Sequence, residues 1–305
     1  MVSVDVSICT YQRSSLVDTL RSVAQQDISD ISLRVIVADN DELPARREEI
    51  LAIARELGLS LHYIHAPARN ISIARNACLS AAQSDWIAFI DDDEVAMPRW
   101  LAELISAGDG RDVVFGVSQA IYDNAAPAWV RKGDFHSAKM SDHDAPWNGY
   151  CGNVLIRRKF VETTGLRFDA TAGETGGEDT IFFFEAKRAG AQFGYAPASI
   201  VQEPTGLERT SLKWMLRRRF RTGQTYQRVL KLRGKTIGGA LLAAGKCGWS
   251  IGAAVTLIPW PNKAAAQLLR GALHAGVVAS ALGVGTYREY GKRAGQRATT
   301  AQSSR

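Results

Sequence analysis

The feature that most constrains this chain is an apolar run, Trp86-Ile87-Ala88-Phe89-Ile90, that ends abruptly in Asp91-Asp92-Asp93-Glu94. Five consecutive apolar residues read as a strand buried on both faces, the habit of strands inside parallel sheets. The acids then fall at the strand's carboxyl end, where open α/β sheets place their ligands. Four adjacent carboxylates repel one another, and two readings stay open for them. One is a solvated acidic turn. The other is a seat for a divalent cation bound to a diphosphate, with hard oxygen ligands suited to magnesium or manganese.

The flanking sequence supplies the rest of such a sheet. Strand patterns at Val4 to Cys9, Leu33 to Ala38 and Leu61 to Ile64 alternate with helix patterns near Ser15 to Gln26, Pro44 to Leu57 and Ile71 to Ala82. Strands separated by helices of this length imply parallel pairing with right-handed crossovers, so the fold class is α/β. Further strands are expected at Val113 to Ala120 and Cys151 to Ile156. Between them, Tyr122 to Tyr150 is long and irregular, as binding loops are. Its Trp129, Phe135, His136, His143, Asp144 and Trp147 suit sugar faces and hydroxyls, or pack under a lid; either histidine could add a metal ligand. A helix from Phe182 to Ala189 is introduced by Gly176-Gly177-Glu178-Asp179-Thr180, whose acids suit a helix amino terminus.

Charge divides the 305 residues unequally. Residues 1–208 carry 19 basic and 30 acidic groups, a net of −11, whereas residues 209–305 carry 18 basic groups and the single acid Glu289, a net of +17. A tail of that sign favours phosphates or an anionic lipid surface. A nucleic-acid partner is not expected, because the charge adjoins apolar segments rather than an aromatic-interleaved groove. The basic stretch Leu212 to Lys235, with Arg217-Arg218-Arg219-Phe220-Arg221, is followed by Gly- and Ala-rich segments at Thr236 to Ile258 and Ala264 to Tyr287. Each is near the roughly 20 residues that span a bilayer. Lys246, Arg270 and His274 interrupt them, which leaves interfacial or re-entrant helices, a spanning hairpin and a soluble helical packing open. Four unpaired cysteines, Cys9, Cys78, Cys151 and Cys247, and an amino terminus without a signal-peptide pattern lead us to expect a cytoplasmic catalytic part.

The acid cluster has company in a fixed order: Ile8-Cys9-Thr10-Tyr11-Gln12-Arg13, Val37-Ala38-Asp39-Asn40-Asp41, Ala74-Arg75-Asn76, then Gly152-Asn153 and Gly177-Glu178-Asp179. In this order and spacing, over roughly residues 3–225, the chain resembles the family 2 glycosyltransferases. Within them it looks most like bacterial exopolysaccharide enzymes related to the succinoglycan glucosyltransferases. The resemblance implies a GT-A fold, a nucleotide-diphospho-sugar-binding, mostly parallel sheet. It also implies a role for each motif. Thr10, Tyr11 and Arg13 match the loop around the nucleotide base and diphosphate, Asp39 the acid that binds uracil, and Arg75 a nucleotide contact. Asp91 and Asp92 match donor contacts, and Asp93 the residue that holds a divalent cation, Mg2+ or Mn2+. Asp179 matches the general base that takes the acceptor's proton during in-line, inverting displacement. Each element read alone has a simpler use: a strand-to-helix turn, a turn cap, a solvated arginine, a pair of acids serving a helix dipole.

The expected domains are a GT-A catalytic domain at 1–225, a basic and apolar membrane-associated helical region at 226–290, and a disordered tail at 291–305. The expected activity is sugar transfer from a nucleotide-diphospho-sugar, a UDP-sugar, to a glycan or lipid-linked acceptor in exopolysaccharide synthesis at the cytoplasmic face of the inner membrane. Gln224-Thr225-Tyr226-Gln227-Arg228 lacks the Trp of the Gln-x-x-Arg-Trp motif carried by processive relatives, which implies one sugar per encounter. The alternatives are a non-catalytic membrane-associated polysaccharide assembly protein and a sugar-phosphate nucleotidyltransferase. The latter would want a Gly-rich loop after the first strand, and Cys9 to Ser15 contains no glycine.

Overall fold

A computed structural model of the chain describes residues 1–140, 149–173 and 176–285. Four strands, β1 (Val2–Thr10), β2 (Ile31–Asp39), β3 (Leu61–His65) and β4 (Trp86–Ile90), pair in parallel in the order β3-β2-β1-β4. Helices α1 (Leu16–Ala24), α2 (Arg47–Glu56) and α3 (Ile71–Ala81) make the crossovers. The alternation in the first hundred residues therefore forms the expected parallel half-sheet. All five residues of β4 are buried. Trp86, Ala88 and Ile90 enter one core layer with Leu20 and Trp100, and Ile87 and Phe89 enter the other with Phe115, Phe182 and Phe183.

The second half of the sheet is mixed rather than mostly parallel. β7 (Asn153–Arg157) runs antiparallel between β4 and β6 (Val113–Tyr122), and β8 (Phe193–Thr205) runs parallel to β6. The short β5 (Val95–Ala96) closes the edge antiparallel to β8. Among its described residues the link from β6 to β7 includes only the short α5 (Ala128–Gly133), and β7 returns antiparallel beside β6. β8 carries Pro197 and Pro204, and prolines argue against a strand in sequence. Pro197 is accommodated where the register with β6 slips, from Phe115↔Tyr195 to Val117↔Ile200. Helices α4 (Trp100–Ser106) and α6 (Arg158–Thr164) also lack a strong sequence signal. α7 (Glu178–Arg188) starts at the Glu-Asp pair itself.

The carboxyl-terminal part is α8 (Leu212–Leu232), α9 (Thr236–Thr256) and α10 (Pro261–Ala281). The expected boundary at residue 225 falls inside α8, which continues into the hairpin and packs along α10. Among the described residues no helix is long and apolar enough to cross a membrane, so the spanning-hairpin expectation is not met. α9 nonetheless exposes Ile237, Leu241, Leu242 and Trp249, the last 78% accessible. His143, Asp144 and Trp147 of the expected acceptor loop, and the expected tail 291–305, lie outside the described residues.

Candidate active site

Three neighbouring parallel strands deliver the motifs to one edge. Thr10 and Asp39 end β1 and β2 as register partners, and the acid cluster follows β4 on the other side of β1. The four acids then separate by alternation. Asp92 and Glu94 are buried, while Asp91 and Asp93 keep accessible surface. Asp92, expected among the donor contacts, accepts a 2.7 Å hydrogen bond from the Thr10 hydroxyl and so ties the first loop to the cluster. Burial pushes its carboxyl up to about 6 against that hydrogen bond. Glu94 accepts from the Ser118 hydroxyl at 2.7 Å and from the Asp91 amide at 3.0 Å. Burial, then the charge of Asp91, raises it well above the carboxylate range.

Although its side chain is 44% accessible, the protein walls of the cleft desolvate Asp91 and push its carboxyl up to about 7, with Asp93 and Asp92 adding to this and Arg75 opposing it. Asp93 lies 3.2 Å from Arg13 Nη1. Among the described residues no three His, Cys, Asp or Glu side chains converge on a metal position. His136 is not free to add a ligand. Its Nδ1 pairs with the Tyr122 hydroxyl at 3.0 Å and its Nε2 with the Arg209 carbonyl at 3.2 Å.

Arg75, expected as a nucleotide contact, is nearly buried and paired with two acids. It is 6% exposed, its Nη1 is 2.5 Å from Glu178 Oε1, its Nη2 is 3.6 Å from Asp91 Oδ1, and its head lies 5.5 Å from the Phe168 ring centroid. It thereby joins the acid cluster to the Glu-Asp pair. Asp179, in the first turn of α7, accepts from the Thr180 amide at 2.6 Å. Burial and then Glu178 push its carboxyl up to about 6, with Arg75 opposing. Gly177 precedes it at φ 89°, and a Cβ there would come 2.1 Å from Thr225 Cγ2, so the helix start requires glycine.

At the other end of the cleft Asp39 is buried, accepting from the Tyr63 hydroxyl at 2.6 Å and from the Asp41 amide at 3.0 Å. Burial and that carboxylate hold the Tyr63 phenol far above its ordinary value. Tyr11 is exposed, with the Arg69 guanidinium 5.7 Å from its ring centroid. Gln12, at φ 54°, donates to Asp41, and Arg46 holds the Arg13 carbonyl. Tyr63, Arg46 and Arg69 had no signal in the sequence, being ordinary polar residues of separate segments that only the fold brings together.

A cavity of about 560 Å³ opens between residues 135–140 and α8, with Glu203 of β8 and Leu269 of α10 in its wall. Glu203 pairs with Arg209 at 2.8 Å. Burial and then Asp93 raise its carboxyl, so the cavity adjoins the acid cluster. The pairing Val95↔Gln202 explains this proximity, since it lays β8 beside the residues that follow Asp93. Phe135 and His136 of the expected acceptor loop line the cavity. Trp129 instead packs on Phe135 in the small core beneath. Glu203 was invisible because its strand was.

Residues 5–165 match the model of glycosyl transferase family 2. The chain is 39% identical over 297 residues to succinoglycan biosynthesis protein ExoM of Rhizobium meliloti, covering 95% of this chain and 96% of that one. It is 24% identical over 254 residues, 76% of this chain and 78% of the relative, to a glucosyl-dolichyl phosphate glucuronosyltransferase of Haloferax volcanii. The crystal structure of S. aureus TarS 1-349 in complex with UDP superposes with a TM-score of 0.53 at 15% identity over 93% of this chain and 92% of that one. The corresponding complex with UDP-GlcNAc gives 0.55 at 14% identity, covering 92% of each. The motif order, the nucleotide-type sheet and the extent of these matches agree: the chain belongs to glycosyltransferase family 2.

Proposed function

We propose that the chain is an inverting glycosyltransferase that moves a sugar from a UDP-sugar to a glycan or lipid-linked acceptor in exopolysaccharide synthesis. The observation that supports this reading is the Arg75 bridge, which joins Asp91 of the acid cluster to Glu178, the neighbour of Asp179 in the first turn of α7. The UDP and UDP-GlcNAc complexes of the structural neighbour support a uridine donor, and ExoM supports the pathway class.

In this reading the uridine lies along Thr10, Tyr11 and Asp39, and Arg13 neutralises diphosphate charge. The two accessible carboxylates make a partial donor set of hard oxygens, which fits a Mg2+ or Mn2+ ion completed by substrate phosphates and water. Such a cation, held by Asp93, would stabilise charge on the departing nucleoside diphosphate. Asp179 accepts the proton of the attacking hydroxyl, for which it must be ionised and within about 2.6–3.2 Å of that oxygen. One displacement inverts the anomeric carbon, so a UDP-α-sugar gives a β-linkage. The basic, apolar-faced α9–α10 hairpin lies on the anionic cytoplasmic face of the membrane, its exposed Leu and Trp side chains in the headgroup layer.

Isothermal titration with UDP, with manganese or magnesium and then with EDTA, tests the donor site. Metal-dependent binding that prefers UDP to GDP and TDP, and that Asp93→Ala abolishes, is the expected result. Folded protein that binds none of these nucleotides would return the chain to the non-catalytic assembly reading.

A further inference from the structure

The cavity beside Glu203 is lined by two arginines, Arg218 and Arg219, that form no ion pair among the described residues. Lys139, also in its wall, is neutralised by Asp134 at 2.7 Å, and Glu203 by Arg209. Arg218 and Arg219 are adjacent on α8, and like charges so placed repel. Burial and Arg218 both act against the charge of Arg219, which donates a hydrogen bond to the Phe135 carbonyl at 3.2 Å.

The heads are also held in place. The Tyr122 hydroxyl and the Arg209 carbonyl fix His136, His136 stacks on Trp214 with centroids 5.7 Å apart, and the Arg218 guanidinium lies 5.3 Å from the Trp214 ring centroid. Fixed guanidinium groups suit planar, bidentate recognition of phosphate oxygens. Glu203 is shared between Arg209 and the charge of Arg218, so the wall keeps a positive excess in a cavity large enough for a phosphosugar, which suits a diphosphate anion.

The donor's diphosphate has its own place at Arg13 and the acid cluster. We therefore propose that Arg218 and Arg219 form a second phosphate subsite, which takes the diphosphate of a glycosyl-diphosphate acceptor and presents its sugar toward Asp179. The subsite rests on the transfer reading above and names the acceptor's chemical class. Leu269 of α10 lines the same cavity and connects it to the hairpin with the exposed apolar helix, a course an isoprenoid tail could follow.

The test uses the full chain saturated with UDP and titrated calorimetrically with farnesyl diphosphate, and separately with inorganic pyrophosphate. Binding of farnesyl diphosphate is expected, weakened at least about tenfold by Arg218→Gln and by Arg219→Gln, while UDP affinity changes by less than about twofold. Equal binding of pyrophosphate assigns recognition to the phosphates; tighter binding of farnesyl diphosphate adds the apolar wall. Both results support the subsite. Failure of both diphosphates to bind overturns it, as does an equal loss of UDP affinity in Arg218→Gln, which would give the arginines to the donor. Arg218 is exposed, so its variant is expected to fold even where Arg219→Gln does not. Should UDP itself not bind, the transfer reading fails separately, and the same diphosphate titrations of unliganded protein still decide the subsite.

Discussion

Arg75 and Glu178 lie 103 residues apart and meet with Nη1 and Oε1 2.5 Å apart, both side chains nearly inaccessible to solvent. The pair holds the first turn of α7 against α3, and a second nitrogen of the same guanidinium reaches Asp91 at 3.6 Å. One buried arginine thus sets the spacing between the acids proposed for the donor and the carboxylate proposed for the acceptor.

The proton-acceptor role of Asp179 gives a pH signature. Its folded carboxyl titrates at about 6, so the rate is expected to fall as pH drops through that value, approaching tenfold per unit below it. Glu178 is the neighbour that raises it, so Glu178→Gln, which can keep a hydrogen bond to Arg75, moves the acid limb to lower pH. Asp179→Asn should retain UDP binding and lose about 10²- to 10⁴-fold in turnover. Initial rates against pH for the three proteins decide this, and normal turnover by Asp179→Asn would falsify the assignment.

Asp5 is the folding counterpart, a fully buried carboxylate in β1 bound by Arg34 at 2.6 Å and by the Gln83 and Ser84 amides at 2.6 and 2.8 Å. Burial alone would raise it, but the Arg34 hydrogen bond and the two amides prevail and hold it below its ordinary value. Its contribution is therefore present above the unfolded carboxyl's pKa of about 3.9 and is lost as pH falls through the lower folded value. Asp5→Ala should cost about 3–5 kcal/mol in urea unfolding at pH 7, and the deficit should shrink in acid.

Gly223 and Gly276 mark the crossing of α8 and α10. A Cβ on Gly223 would lie 1.9 Å from the Leu273 carbonyl oxygen, and one on Gly276 the same distance from that of Phe220. Alanine at either site should lower stability by about 1–3 kcal/mol or more and speed proteolysis of the hairpin. Gly245 in α9 has open space around it, and Gly245→Ala should instead stabilise by about 0.5–1 kcal/mol. Thermal melts and limited trypsin digestion distinguish the two classes.

For the hairpin, the full chain should sediment with phosphatidylglycerol vesicles, less with phosphatidylcholine, and less again in high salt. Leu241→Glu and Trp249→Glu should reduce binding without changing the melt, because both side chains are exposed. A chain that ignores vesicles and is dimeric until those residues are changed would assign the face to a second copy instead.

Much of the site was legible in the sequence because its motifs end strands. An apolar run that stops in acids places those acids at the carboxyl edge whatever packs around it, and Thr10, Asp39 and Asp91 arrive there together because the three strands that carry them run parallel, as their helical crossovers imply. Glu178 and Asp179 were legible as a pair at a helix start, for the same local reason. Direction and burial were not local. That Asp92 and Glu94 turn inward while Asp91 and Asp93 stay accessible depends on Thr10 and Ser118, which lie at distant points of the chain. Arg75 looked like a surface helix residue until Glu178 and Phe168 closed over it. β8 was obscured by prolines that a register slip accommodates, and with it went Glu203 and the cavity beside α8. The sequence by itself determined which backbone positions end at the ligand edge, because strand period and crossover handedness are local or general rules. Only the tertiary structure decided which side chains there meet each other and which meet solvent, because burial and charge pairing join residues that the sequence keeps far apart.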